Sequence, residues 1–393
     1  LANDWLLGAN IKKSSDKSYL ARYKMSDGES VLTQNVFLEK GNISNSILLE
    51  VYKFQTLSDD FSSSDLPFIR PQIKYIWDNF ADKDRNRMNQ TKVSLRSITN
   101  RKEEESNSIH LNTTSQKDRI YNGLLIKDSL KLNFDFYNTK NSYLPNDNVI
   151  RALPELGLEL KYPLINYKHN NTILEPIVQM FLSSENDKNS DIKNNDSKTL
   201  ELMSVNLFEE NRYSGYDRLE DGFRVNYGFT FISKTSNENS FYSSFGRTFH
   251  LNEQEYFNYT NGLGKHNSDF VGNLEYIYKN VDLYYDFRVS DEFELNKNRV
   301  KTSLNLGKAY LDLQYSQIRN FASSKNPNTE QINFSTSAPL FNNWKLYFSQ
   351  YRDLAGAQFS SPLRTSLGVE FKNTCTLFRV NFTKDKSNDI DVP

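Results

Sequence analysis

Residues 223–231 alternate strictly between two kinds of side chain. The odd-numbered positions carry Phe, Val, Tyr, Phe and Phe, and the even-numbered positions carry Arg, Asn, Gly and Thr. A period of two predicts a β-strand with one aromatic face and one polar face. The aromatic face requires a second sheet, a core or lipid against it. The polar, glycine-containing stretch before this strand fits a long loop, and transmembrane barrels have long loops at one end and short turns at the other.

The same alternation recurs along the chain, for example at residues 130–137, 156–162, 174–182 and 281–289. A repeat of about ten strand residues plus a turn is typical of transmembrane barrels. We count roughly sixteen to twenty such segments on that spacing, and no stretch with helical spacing competes with them. The pattern predicts an all-β protein, an antiparallel transmembrane β-barrel of the outer-membrane type.

Composition agrees with a barrel that has a polar lumen. Aromatic residues make up 13% of the chain, although the mean hydropathy is −0.69. No window of eighteen apolar residues exists, which excludes a membrane-spanning helix. The net charge of −1 gives no electrostatic case for binding nucleic acid. With one cysteine, Cys375, the chain can form neither an internal disulfide nor a cysteine-rich zinc site.

Two polar intervals and two prolines carry further expectations. Residues 101–119, RKEEESNSIHLNTTSQKDR, are expected to form a solvated loop. Residues 183–216 form the longest polar interval, and a loop of that length is either functional or mobile. Pro67 and Pro71 are expected at strand starts or on an edge, because proline cannot donate to a central ladder.

Candidates for catalysis are weak. The histidines are predicted in loops or at strand ends and are widely separated: His110, His169, His250 and His266. The sequence His-Asn-Ser at residues 266–268 cannot form a serine hydrolase geometry from adjacent positions. The acid pairs Asp282 with Asp286 and Glu209 with Glu210 could be offered as glycosidase carboxylates, but charges on the polar face of barrel strands are far commoner. We therefore expect no enzyme activity, no cofactor and no metal.

Charges predicted on the polar face carry both signs, whereas a selective ion channel favours a ring of one sign. The basic candidates are Arg224, Arg288, Lys345, Arg364 and Arg379, and the acidic ones are Glu159, Glu175, Asp286, Asp312 and Glu370.

Residues 194–222 resemble the signature of the LPS-assembly outer-membrane protein family, LptD, also called organic-solvent tolerance protein. In that family an Asp-Ser element precedes a Phe-containing link and a Tyr-Ser-Gly-x-Asp-Arg turn. The matching residues here are Asp196, Ser197, Phe208, Tyr213, Ser214, Gly215, Asp217 and Arg218. The hairpins of residues 16–77 are similar to the same family at Tyr19, Leu20, Tyr23, Phe54, Gln55 and Leu57.

The resemblance implies that residues 1–393 form the barrel domain of a translocon that inserts lipopolysaccharide into the outer leaflet of the bacterial outer membrane. It implies three partners besides that membrane: lipopolysaccharide, an LptE-like lipoprotein plug and the periplasmic bridge proteins of lipopolysaccharide transport. The family's N-terminal periplasmic jelly-roll and the terminal strand or strands are expected to lie outside this sequence. A general porin or substrate channel is the alternative, followed by a soluble β-rich protein whose aromatic faces pair sheet to sheet.

Two site predictions follow the resemblance. Residues 211–222 are expected to fold against the lumen or rim and help seal the pore, with Asp217 and Arg218 pairing to groups on the polar face. The candidate residues of this loop are Tyr213, Gly215, Asp217, Arg218 and Gly222. The alternative is a solvated surface loop. Cys375 is either a buried structural thiol or, as the resemblance implies, the partner of a cysteine in the N-terminal periplasmic region.

Overall fold

The computed structural model describes residues 5–17, 19–22, 30–57, 62–63, 66–80, 86–99, 104–140, 148–166, 171–185, 187–236, 239–253, 257, 261–319, 328–355 and 363–385. Within these residues, regular structure consists almost entirely of twenty strands. They are β1 (Leu6–Asn10), β2 (Val31–Gly41), β3 (Asn45–Thr56), β4 (Phe68–Phe80), β5 (Arg87–Thr99), β6 (Glu105–Tyr121), β7 (Leu124–Lys140), β8 (Asn148–Lys161), β9 (Leu164–Asn166), β10 (Thr172–Ser183), β11 (Phe223–Ser236), β12 (Asn239–His250), β13 (Phe270–Tyr278), β14 (Val281–Val289), β15 (Leu295–Leu306), β16 (Ala309–Arg319), β17 (Asn328–Phe341), β18 (Trp344–Asp353), β19 (Arg364–Lys372) and β20 (Leu377–Asp385). The rest is a one-turn helix α1 (Tyr19–Arg22) and two 3-10 turns, Asp187–Asn189 and Ser204–Asn206. No helix in these ranges has the length and hydropathy needed to span a bilayer.

The strands form an antiparallel meander. Each strand pairs with the next from β1 to β8 and from β10 to β20. β8 pairs directly with β10, and the short β9 also pairs with β10. The predicted all-β antiparallel fold is therefore confirmed.

The sheet curves around one connecting segment. Arg96 on β5 contacts Asp196, and Lys297 on β15 contacts Glu201 at 2.9 Å. Asp196 and Glu201 are five residues apart, so their Cα atoms are separated by at most about 18 Å. In a flat sheet the nine steps from β5 to β15 would span about 43 Å at ~4.8 Å per step. The buried side chains of Arg96 and Lys297 stand roughly perpendicular to the sheet and so add little reach along it. The sheet therefore bends into a barrel wall with these residues on its concave side.

The two faces of the wall differ as the alternation predicts. On β11, Tyr227 and Phe229 are 39% and 38% exposed on the outer face, whereas Arg224 and Asn226 are fully buried on the inner face. The same division holds on other strands. Exposed outward residues include Leu130, Leu132, Phe134, Leu156, Leu174, Met180, Leu182 and Leu283. The buried interior therefore lies inside the barrel and is largely polar.

Connections alternate in length between the two ends of the barrel. At one end, the short-turn end, the chain reverses at residues 42–44, 122–123, 279–280, 307–308, 342–343 and 373–376. The turn of residues 122–123 is Asn-Gly with φ of 47° and 83°, as a two-residue hairpin requires. The opposite end, the long-loop end, carries the connections of residues 184–222 and 251–269.

Residues 105–119 correct one expectation. They belong to β6, which pairs along its length with β5 and β7, so the predicted solvated loop was wrong there; residues 101–103 lie outside the described residues. Ile109 and Leu111 are exposed outward, while Ser108 and His110 are buried inward. The period of two in β6 was not recognised because most of its residues are polar. A polar lumen accommodates such residues on the inner face of a strand. Consequently His110 lies within a strand and not in a loop.

The prolines behave differently from each other. Pro67 immediately precedes β4, as predicted for a strand start. Pro71 lies inside β4, where the pairing register with β5 shifts between Ile69 and Gln72. A bulge of this kind tolerates proline because a ladder hydrogen bond is already missing.

Candidate functional site

The connection between β10 and β11 enters the barrel from the long-loop end. We call residues 187–222 the lumen segment. Its side chains and backbone contact buried inner-face residues of the wall. These are Arg96 on β5, Ser106 on β6, Tyr137 on β7, Arg151 on β8, Gln179 on β10, Asn226 on β11, Arg288 on β14 and Lys297 on β15. The lumen segment thus covers the inner face from β5 to β15.

Asp196 and Asp217 join two parts of the lumen segment that are distant in sequence. The Asp196 carboxylate accepts hydrogen bonds from the backbone N–H of Tyr216 at 3.1 Å and of Asp217 at 3.2 Å. The Asp217 carboxylate accepts from the N–H of Asn195 at 2.7 Å and of Asp196 at 3.1 Å. Each acid therefore satisfies backbone donors that burial would otherwise leave unpaired.

Arg96 anchors this pair of acids to the wall. Its guanidinium donates to Asp196 and, at 2.9 Å, to Asp217. Burial acts to raise the pKa of Asp196, but the charge of Arg96 and the hydrogen bonds to the Asp196 carboxylate together outweigh it and lower that pKa. Burial raises the pKa of Asp217 more than Arg96 lowers it. One wall cation thus contacts both acids, which offsets part of the cost of burying them in the lumen.

Tyr216 fastens the turn of the lumen segment to β6 and β8. Its ring stacks on the His110 ring at a centroid distance of 4.6 Å. Its carbonyl oxygen accepts a hydrogen bond from Arg151 at 2.6 Å. Arg151 is in turn paired with Asp135 at 2.7 Å, and Asp135 lies 2.9 Å from the His110 ring nitrogen Nδ1. Wall residues of three strands therefore orient one turn.

A second charge cluster lies where the lumen segment returns to β11. Arg212, fully buried, donates to Glu220 at 3.0 Å and to the side-chain oxygen of Asn226 at 2.6 Å. Arg224 lies 2.9 Å from Glu155 and 3.7 Å from Glu220. Burial acts to raise the pKa of Glu220, but Arg212 and other cationic neighbours outweigh it and lower the pKa to about 2. Glu220 is therefore ionised at neutral pH.

An apolar cluster joins the lumen segment to the connection of residues 251–269. Tyr213 stacks on Phe257 with ring centroids 4.6 Å apart. The backbone N–H of Leu202 donates to the carbonyl of Asn261 at 2.9 Å. The buried members of the cluster are Leu202, Leu207, Tyr213, Phe257, Leu263 and Val271. Two long connections therefore pack together at this end.

The remaining predicted loop residues serve the turns of the lumen segment. Gly215 has φ of +76°, and a Cβ there would meet the Asp196 carboxyl group. Gly222 has φ of +72°, and its carbonyl accepts from the N–H of Ser183 at 3.1 Å. Arg218 donates to the carbonyl of Ile192 at 3.0 Å, a contact within the segment. Asp217 and Arg218 were both predicted to pair with groups on the polar face of the wall. Asp217 does so through its contact with Arg96.

The wall partners Arg96, Asp135 and Arg151 were missed by sequence reasoning. Their signal was a charged residue at an inner position of an alternating strand, which Arg151 shows in NVIRALPEL of β8. Other inner charges pair as well: Asp286 lies 3.1 Å from Arg299, and Arg379 contacts Glu370.

Cys375 lies far along the chain from this site, in the turn of residues 373–376 between β19 and β20. It is exposed, so the alternative of a buried structural thiol is wrong. The turn belongs to the short-turn end.

An antiparallel wall with an apolar outer face, a polar lumen and its own loop folded inside defines an outer-membrane β-barrel. The chain belongs to the LptD family: the family model, LPS transport system D, matches residues 1–344. Among relatives, it is 22% identical to the LPS-assembly protein LptD of Salmonella typhi and 21% identical to that of Escherichia coli (strain K12). Both alignments cover 97% of this chain and 52% of the relative, so the chain spans about half the length of the curated relatives it matches. The predicted localisation in the outer membrane is therefore confirmed.

Siderophore receptors are among the solved structures to which the chain is similar. A mutant of the ferric enterobactin receptor PfeA from Pseudomonas aeruginosa has a TM-score of 0.45 and 7% identity, covering 96% of this chain and 66% of the receptor. The receptor PirA from Acinetobacter baumannii has a TM-score of 0.42 and 10% identity, covering 91% and 65%.

Proposed function

We propose that this barrel is the part of a translocon that inserts lipopolysaccharide into the outer leaflet of the outer membrane. Membership of the LptD family supports this function. Lipopolysaccharide has a polar sugar portion and apolar acyl chains. A polar lumen suits the sugars, and a seam between strands that leads to the apolar outer face suits the acyl chains. No bond is made or broken, and the driving force comes from other components of the pathway.

The observation that carries the proposal is the folded lumen segment. A barrel that passes a large cargo must stay closed to other solutes between transport events. Ion pairs and buried hydrogen bonds hold the segment against the wall from β5 to β15, with Arg96, Arg151 and Arg212 as the central cations. A general porin needs an open aqueous channel, and nothing in the family assignment favours that alternative.

Further partners belong to the proposal. Short turns of outer-membrane barrels face the periplasm and long loops face outward. The short-turn end is then where periplasmic bridge proteins deliver lipopolysaccharide and where an LptE-like lipoprotein enters as a plug. A periplasmic jelly-roll domain is proposed to accept the lipid first.

Cys375 fits the same orientation. Its exposed position at the short-turn end is compatible with a disulfide to a cysteine in the periplasmic region of the complete protein. The periplasm is oxidising, so such a bond can form and persist.

Depletion of the full-length protein in its native cell tests the function. We expect newly made lipopolysaccharide to accumulate on the cell-interior side of the outer membrane without reaching its outer leaflet. We also expect large antibiotics to enter the cell more readily. Re-expression of the wild-type protein is the control and should reverse both effects. Normal lipopolysaccharide export together with slower uptake of small hydrophilic solutes would instead identify a porin.

A further inference from the structure

The inner wall changes character between β16 and β20. Strand register places Ser335, Ser349, Ser366 and Thr383 side by side on four successive strands, β17 to β20. Paired residues project from the same face of a sheet, and Ser335 also pairs with the inner-face Asp312. We call these four residues the hydroxyl strip. It runs across the strands, around the lumen.

The strip forms the floor of a recess. Two cavities of about 470 Å³ and 430 Å³ share Ser335, Ser349, Ser366 and Arg364 among their lining residues. Both volumes fall in the range of small-molecule sites. Larger side chains flank the floor on both sides, with Tyr347 in one cavity and Tyr351 in the other. The row on one side contributes Tyr347, which pairs with Ser337 and Gly368, and the row on the other side contributes Tyr351, which pairs with Asn333 and Arg364.

The recess lies apart from the lumen segment. Its described lining residues all belong to strands β16 to β20, and none belongs to residues 187–222. The segment's Asp196, Glu201 and Arg212, by contrast, bind wall residues between β5 and β15. A ligand can therefore occupy the strip while the segment stays in place.

The chemistry of the recess matches a phosphate-bearing saccharide. Hydroxyl groups both donate and accept hydrogen bonds, and the Ser366 and Thr383 oxygens are 3.0 Å apart, close enough to bind as a unit. Tyr347 and Tyr351 provide aromatic surface with a polar end. Arg364 supplies a guanidinium group, and guanidinium groups bind phosphate through paired hydrogen bonds, whereas the guanidinium of Arg379 is paired with Glu370.

We propose that the hydroxyl strip is a binding site for the sugar portion of lipopolysaccharide during its passage through the lumen. This inference rests on the proposed function and assigns it a location on the wall. The strip guides polar sugars past β17 to β20 through many weak and exchangeable hydrogen bonds. Weak multiple contacts allow cargo to move on after it binds.

Photocrosslinking in growing cells tests the site in the full-length protein. A photoreactive phenylalanine analogue replaces Tyr351 beside the strip, Tyr284 on the inner wall of β14, or Phe334 on the outer face of β17. We expect lipopolysaccharide adducts at Tyr351 to exceed those at Tyr284. When lipopolysaccharide synthesis is blocked before irradiation, adducts at Tyr351 should disappear. Adducts at Phe334 with resident membrane lipopolysaccharide should persist.

A substitution that fills the recess provides a second test of the binding site. With the crosslinker at Tyr351, Ser349→Trp should lower the adduct yield about tenfold, which corresponds to a loss of ~1.4 kcal/mol in binding. Leu367→Trp places the same ring on the outer face and controls for assembly. If Ser349→Trp prevents assembly, Ser349→Ala with Ser366→Ala removes hydroxyls without adding volume and should also lower the yield.

The outcomes separate the two proposals. Adducts at Tyr351 that do not exceed those at Tyr284, or that survive the block of synthesis, overturn the strip as a binding site. The proposed function then stands if depleted cells still fail to export lipopolysaccharide. Normal export in depleted cells overturns the function itself.

Discussion

Asp196 and Asp217 each accept a hydrogen bond from the backbone N–H of the other, at 3.2 and 3.1 Å. This reciprocal contact closes a loop within the lumen segment, and Arg96 on β5 binds both carboxylates. A local turn is thereby tied to a distant strand. We interpret the three residues as the clasp that keeps the segment in the lumen.

Loss of the clasp should open the barrel. Asp217→Ala leaves Arg96 and the N–H of Asn195 without this acceptor, and each unpaired buried donor costs roughly 1–3 kcal/mol. We expect increased sensitivity to a large glycopeptide antibiotic, with protein levels nearly unchanged. Arg218→Ala should have the same effect to a smaller degree, because the contact of Arg218 with Ile192 lies within the segment.

Glu209→Ala is the matched control for the clasp, since Glu209 is an exposed acid of the same segment. Protease added to intact cells should cut the segment in the Asp217→Ala variant and spare it in the control. Wild-type exclusion in both Asp217→Ala and Arg218→Ala, with ready cleavage of the wild-type segment, would identify an ordinary exposed loop.

The aromatic residues on the outer face of the barrel should not tolerate replacement by a charged residue. Tyr227→Arg or Tyr285→Arg places a cation on the lipid-facing side, which costs roughly 2–4 kcal/mol near the bilayer midplane. We expect reduced amounts of assembled barrel in the outer membrane, measured by immunoblot of membrane fractions. Gln314→Arg adds the same cation to the inner face of β16 and should assemble normally; equal effects on both faces would contradict the assignment.

Asn226 is not a neutral site for that comparison, although it lies on the polar face. The alternation alone predicts that a change on the polar face is mild. The structure buries Asn226 completely, and its side chain binds Arg212, Thr248 and Gln179. We therefore expect Asn226→Ala to destabilise the barrel more than Gln314→Ala, as measured by urea unfolding.

The lowered pKa of Glu220 predicts how the stability of the folded barrel depends on pH. Its pKa in the folded barrel is about 2, below the ordinary value of 4.5. Ionised Glu220 therefore contributes stability, about 3 kcal/mol from that shift, at pH values above 4.5. This contribution is lost as pH falls from 4.5 through 2. Urea unfolding of wild type and Glu220→Gln should differ most at neutral pH and converge near pH 2; a constant difference would show that the charge of Glu220 is not the cause.

Cys375 should form a disulfide in the complete protein. Non-reducing electrophoresis is expected to show a mobility shift relative to the reduced sample, and Cys375→Ser should abolish it. Alkylation of Cys375 in the untreated mature protein would show that the thiol is free. Thr374→Ala, in the same exposed turn, controls for local effects of substitution.

The alternation of apolar and polar residues could be recognised from the sequence because it is a local property of each strand. Side chains of a strand project to opposite faces with a period of two, whatever the strand pairs with. The faces of β7, β8, β10, β11 and β14 could therefore be assigned before any pairing was known. β6 was missed because its polar residues were interpreted as solvated, although Ser108 and His110 are buried in a polar lumen.

The sequence by itself determined most of the strands, their two faces and, through the run of residues 194–222, the family. Only the tertiary structure decided the charge partners. Arg96 and Asp217 are 121 residues apart in sequence and meet because the sheet curves around the lumen segment. The same holds for the hydroxyl strip, whose members are ordinary polar residues within their own strands. Register aligns them into one row, and register depends on pairing between strands, which no single strand encodes.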